Sequence, residues 1–246
     1  MPFDLTPLQS LWMAIALFGA AYVRGYSGFG MAALVVSSAS LVTNPLHFVP
    51  VVLICDILLT IAQARGIRPD IDWRRVLYLF GGAFIGVPLG IWVLAGIGVD
   101  TARAAISIFI LIMCAILWAG WHMREAASGA AHFGIGIISG LTNGAAVGGL
   151  SVAAFFAAQP IRAAAFRATL IAYFTLLDLW TVPLMGTAGM VTADTVKAVA
   201  LSMPILLIGL WLGSRHFFNA APENFRRFAI LLLAVLSLLG LWKALA

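Results

Sequence analysis

The sequence predicts an all-α polytopic membrane protein of two inverted-topology repeats, each a Gly-rich helical hairpin, short or re-entrant, followed by three transmembrane helices. Three observations predict it. Of 246 residues, 63% are hydrophobic types and 9% are charged, against roughly 25% charged in ordinary soluble domains, so lipid has to solvate most of the chain. Charge-free runs over 25–55, 76–99, 104–123 and 126–161 reach the ~20 residues that a bilayer-spanning helix needs. Segments of the first half recur in the second in the same order.

Taken in order, the first apolar run is 6–23. It follows MPFDLTPLQS, which lacks the basic n-region of a cleaved signal, and is expected to belong to the mature protein. A second helix over 30–43 closes the first hairpin, and spans 46–64, 74–95 and 101–121 complete repeat 1, residues 1–122. Repeat 2, residues 129–246, begins with hairpin helices 129–143 and 147–158 and continues with 162–185, 196–217 and 224–244. Asp70 after Pro69 and Glu223 after Pro222 are expected helix starts, since a first-turn carboxylate complements unpaired N–H groups.

The duplication rests on particular residues. Ile85-Gly86-x-x-Leu89-Gly90 matches Ile208-Gly209-x-x-Leu212-Gly213, and Asp100-x-x-Arg103 matches Glu223-x-x-Arg226 at the same offset. Asn44-Pro45 corresponds to Gln159-Pro160. A hairpin that enters and returns leaves each half an odd number of crossings, so the halves are inverted. Loop charges agree: Arg65, Arg68, Arg74 and Arg75 fall on one side with Arg124, Arg162, Arg215, Arg226 and Arg227, whereas Asp100, Asp194 and Lys197 fall on the other. The basic side is cytoplasmic by the positive-inside rule, which places both termini outside. The net charge of +5 is thereby read as topology and not as nucleic-acid binding.

Cys55 and Cys114 lie within apolar spans with no C-x-x-C pair or His cluster, so no disulfide, metal or cofactor is expected. Trp73, Trp118, Trp121, Trp180, Trp211 and Trp242 are near span ends, as in an interfacial belt, and His47, His122, His132 and His216 are read the same way.

Inverted repeats place a working site near the midplane at interrupted helices. The interruptions are Gly25-Tyr26-Ser27-Gly28-Phe29-Gly30 and Gly140-Leu141-Thr142-Asn143-Gly144, continuing to Gly148-Gly149-Leu150-Ser151. Glycines there either bring backbone N–H groups close to an oxyanion or permit tight helix packing. These hairpins, Gly25 to Leu34 and Gly140 to Ser151, followed by Pro45 or Pro160 and later by Ile-Gly-x-x-Leu-Gly, resemble the sulfite exporter TauE/SafE family of bacterial inner-membrane proteins. The usual Gly-x-Gly-Gly run is kept at Gly148-Gly149 and departs at Gly28-Phe29-Gly30. The resemblance implies a secondary transporter for small anions such as sulfite, organosulfonates or related sulfur-containing metabolites, coupled to an ion gradient.

Expected substrate-binding residues are Arg24, Ser27, Gly28, Gly30, Thr142, Asn143, Gly144, Gly148, Gly149 and Ser151. Arg24 suits a sulfonate or sulfite through charge-assisted hydrogen bonds, or is an ordinary loop base at the hairpin tip. Asp56 and Asp178 lie deep in their spans, where a carboxylate costs ~2.5–3.5 kcal/mol, so each is read as a proton-coupling group or as the structural partner of Arg167. Arg167 alternatively snorkels to the surface. Expected partners are the small anionic substrate, protons as coupling ion, membrane lipid and a second copy in a homodimer, without nucleic acid. Two rivals are an anion or small-solute channel and an intramembrane serine protease, since Gly25-Tyr26-Ser27-Gly28 has a G-x-S-G form. The protease needs a histidine base near Ser27, and no histidine lies mid-span.

Overall fold

The computed structural model describes residues 2–120, 122–217 and 222–245, with side chains undescribed at 62–67, 216–217, 222–229 and 232. Trp121 and the side chains of Arg65, His216, Glu223, Arg226 and Arg227 therefore lie outside the described residues. Among the described residues the regular structure is helical throughout. The helices are α1 (Pro7–Ser27), α2 (Met31–Val42), α3 (Phe48–Ile67), α4 (Trp73–Gly96), α5 (Val99–Ala119), α6 (Gly129–Asn143), α7 (Gly148–Ala157), α8 (Ala163–Thr187), α9 (Ala193–Phe217) and α10 (Pro222–Leu245). Trp73–Gly96, Val99–Ala119, Ala163–Thr187 and Ala193–Arg215 are long and apolar enough to cross a membrane, by length and composition. A multi-pass membrane protein follows.

Local chemistry sets the helix ends. Pro7 occupies the first turn of α1, and Thr6 and Gln9 form a capping box, each side chain accepting from the other's backbone N–H. Ser128 caps α6 by accepting from the Ala131 N–H. Asp72, not Asp70, caps α4: its carboxylate accepts from the Arg75 N–H, while Asp70 sits in the short 3-10 turn before it. Asp100 lies in the first turn of α5, where Arg103 donates to it.

The hairpins are lopsided. α1, at 21 residues, rises ~32 Å and is long enough to span, whereas the 12-residue α2 rises ~18 Å. α6 and α7 repeat this long-then-short order at 15 and 10 residues.

Helix contacts are reciprocal. α1 packs on α9 and α6 on α4; α3 meets α9 as α8 meets α4; α2 meets α10 as α7 meets α5; and α3 with α8, α5 with α10 and α2 with α7 pair directly. Glycines make the two long seams. Gly82, Gly86 and Gly90 of α4 sit against the backbone of Phe133, Ile137 and Leu141 in α6, and Gly209 and Gly213 of α9 against Phe18 and Tyr22 in α1. Small residues let helix backbones approach, which is the main source of packing energy where lipid is as apolar as the side chains. Trp92, Leu77, Leu201 and Trp211 face outward, while α2, α3, α7 and α8 fill the interior. His132 departs from the interfacial expectation: it is 2% exposed and packs between Phe155 and Phe156 at the start of α6.

Candidate functional site

α1 does not stop at residue 23. It continues through Arg24, Gly25 and Tyr26, and the break is confined to Gly28–Gly30. Gly28 (φ 82°) closes the helix in the left-handed region, its N–H donating to the Arg24 carbonyl, and Gly30 (φ 89°) starts α2 from the same region. Gly25 is thus a packing glycine within α1, against Leu210 and Ser214 of α9, and Gly140 does the same in α6 against Ala83 and Val87. The second break spans residues 144–147. There Ala146 holds φ 57°, a conformation that costs a residue with a Cβ ~1–2 kcal/mol.

The two breaks meet around one cavity of about 40 Å³. Its wall includes Gly28, Gly30 and the first turn of α2 from one side, and Val147, Gly149 and Leu150 at the start of α7 from the other, with Phe29 and Phe174 as apolar faces. Two helix N-termini therefore border the same small space. Each carries amide N–H groups without intrahelical partners and roughly half a positive charge, an arrangement that favours an anion.

Arg24, Asp56, Asn143 and Asp178 complete the wall. Arg24 is 2% exposed, not a loop residue. Its Nε and Nη2 donate to Asp56 Oδ1 and Oδ2 at 2.5 and 3.0 Å, and Nη2 also donates to Thr60 Oγ1 at 2.8 Å. Such a fork holds the guanidinium plane in place. Across the cavity the Asn143 amide donates to Asp178 Oδ1 at 3.4 Å and Thr181 Oγ1 at 2.9 Å. The partner of Asp56 is thus Arg24 and not Arg167. Arg167 donates to the Gly25 carbonyl at 2.8 Å and to Ser214 Oγ at 3.3 Å, a cation at the C-terminal end of α1.

The remaining expected residues stand behind the wall and hold the turns. Ser27 donates to the Val23 carbonyl at 2.8 Å, Thr142 to Ile138 at 2.9 Å, and Ser139 and Ser151 both to the Gly148 carbonyl at 3.0 and 2.8 Å. Gly144 lies against Gly90, and Gly148 against Ser139. Thr60, Thr181 and Phe174 were not anticipated. An acid followed by a threonine three or four positions on, in both α3 and α8, is the signal that would have found the first two.

Gly28→Ala is expected to destabilise the protein more than Gly30→Ala. Both place a Cβ at positive φ, at ~1–2 kcal/mol. At Gly28 the new carbon would also lie 2.8 Å from Arg167 Cγ, against 3.6 Å from Val23 at Gly30. Thermal unfolding of the two variants in detergent measures the difference; equal midpoints would contradict it.

The profile of the sulfite exporter TauE/SafE family matches residues 13–240. The chain belongs to that family. A similar TauE/SafE protein, the probable sulfite/organosulfonate exporter TauE of Cupriavidus necator, is 27% identical over 240 residues, covering 92% of this chain and 90% of that one. No solved structure matches the chain significantly. A TauE/SafE chain is a membrane transporter and not an enzyme. The Ser27 hydroxyl is spent on the Val23 and Phe29 carbonyls.

Proposed function

We propose that this chain is a secondary transporter that moves small anions, sulfite, organosulfonates or related sulfur-containing metabolites, by alternating access through the cavity between the two helix breaks. The observation that carries the reading is the convergence of the α2 and α7 N-termini on a space that also holds the Arg24 guanidinium. Backbone amides supply oxyanion contacts without rotamer entropy, and the arginine supplies charge. Its neighbours on α3 keep it extended in the wall.

Two inverted repeats, residues 1–122 and 129–246, fit the reciprocal seams α1 on α9 and α6 on α4. In this reading the chain lies in the bacterial inner membrane with both termini periplasmic, and the cavity opens in turn to each face.

Proteoliposomes test it. Uptake of sulfite and of a sulfonate is expected to saturate and to be stimulated by unlabelled substrate preloaded on the far side, with a carboxylate control slower. If neither sulfur anion moves, the proposal fails. Uptake without trans-stimulation would indicate a channel instead.

A further inference from the structure

The two carboxylates of the cavity sit in matching frames with different charges. Asp56 of α3 is gripped by a cation, Arg24, with Thr60 one turn on; Asp178 of α8 is gripped by a neutral amide, Asn143, with Thr181 one turn on. Both are nearly buried, at 8% and 3% exposure. Among the described residues no basic group lies within ion-pair distance of Asp178.

Resting on the anion-transport reading above, we infer that Asp178 carries one proton with each transported anion, while Asp56 stays ionised as the counter-ion of Arg24. With Asp178 ionised, the cavity wall holds one cation and two carboxylates. A bound monoanion would then be a third negative charge in a buried space, where like charges repel strongly. With Asp178 protonated, Arg24 balances Asp56, and the anion meets the guanidinium and the two helix N-termini with no uncompensated carboxylate beside it. Binding of the anion and of the proton therefore favour one another.

The neighbouring elements supply no substitute. Residues 79–96 of α4, the whole of α7 and residues 133–143 of α6 contain no Asp, Glu, His, Lys, Arg, Cys or Tyr. Among the described residues the charged groups that act on Asp178 across the cavity are Asp56 and Arg24, beside the neutral Asn143 amide, and on its own helix Tyr173 is near it. Asp178 takes its proton from water on the side where the anion enters and returns it to water where the anion leaves, so no other donor is needed.

The test uses full-length protein in proteoliposomes with an entrapped pH dye. Methanesulfonate is one probe, because it stays an anion across the usable pH range, and sulfite is the second. Wild-type protein is expected to acidify the lumen as methanesulfonate enters, and an inward proton gradient should drive its accumulation. Asp178→Asn is expected to lose the dye signal and the accumulation; Asp178→Glu should keep both. Proton movement undiminished in Asp178→Asn, or wild-type transport with no dye signal, overturns the inference and leaves the transport reading intact. Failure of wild-type to move either probe overturns the transport reading itself. Should Asp178→Asn not fold, wild-type protein in weakly buffered detergent decides: it should take up protons on addition of methanesulfonate, and no uptake overturns the inference.

Discussion

Arg24→Ala is expected to abolish transport and to lower stability by ~3–5 kcal/mol, the loss that follows when one partner of a buried ion pair is removed and the other charge stays behind. Asp56 is that other charge, 8% exposed, and the Thr60 hydroxyl donates to its backbone carbonyl and not to its carboxylate. The two effects separate in a double variant. Arg24→Ala with Asp56→Ala removes both charges, so stability should recover by most of the loss while transport stays absent. Arg24→Lys keeps the charge without the planar fork and should retain a fraction of the rate. Thermal unfolding in detergent and uptake by proteoliposomes measure the two properties. Wild-type uptake by Arg24→Ala would remove the arginine from the site.

The second large effect is expected at a helix seam. At Gly86 an added Cβ would collide with the Ile137 carbonyl of α6, and the nearest neighbours are all backbone. Overpacking usually costs ~1–3 kcal/mol because side chains shift. Here no side chain can turn aside, so Gly86→Leu should exceed that range and part α4 from α6. Gly209→Leu, whose Cβ would lie 2.6 Å from the Phe18 carbonyl, should do the same to α1 and α9. Gly96→Ala is the control, with open space around it. A monodisperse Gly86→Leu protein with an unchanged melting midpoint would refute the account of the seams.

Most helix boundaries were legible because apolar length and Gly or Pro punctuation determine them directly. The end of α1 was not. Arg24 reads as a stop when met in sequence, since a lone charge in an apolar run is expensive; the carboxylate that offsets it is thirty-two residues away on another helix. Glycine misled in a second way. Gly25 and Gly140 pack helices together, Gly28 and Gly30 turn the chain, and the letter alone does not separate these uses; backbone φ and the opposing atom do. Asp70 and Asp72 show the same limit at smaller scale, since both are acids before an apolar run and only the geometry of the Arg75 N–H selects one. Within the cavity, residue type pointed to Arg24, Asp56, Asn143 and Asp178 individually. That they share one wall depends on how four helices pack, which no local pattern encodes.

The crossed seams also bear on how the chain is made. α1 is made well before α9, yet α9 is the surface notched to receive its backbone. Until then the flank of α1 that includes Gly25 can be sheathed only by acyl chains, which do not fit a helix as closely as another helix does. Arg24 meets Asp56 much earlier, as soon as α3 inserts. The buried charge is thus settled once α3 is in place, and the close fit of α1 is completed only after α9.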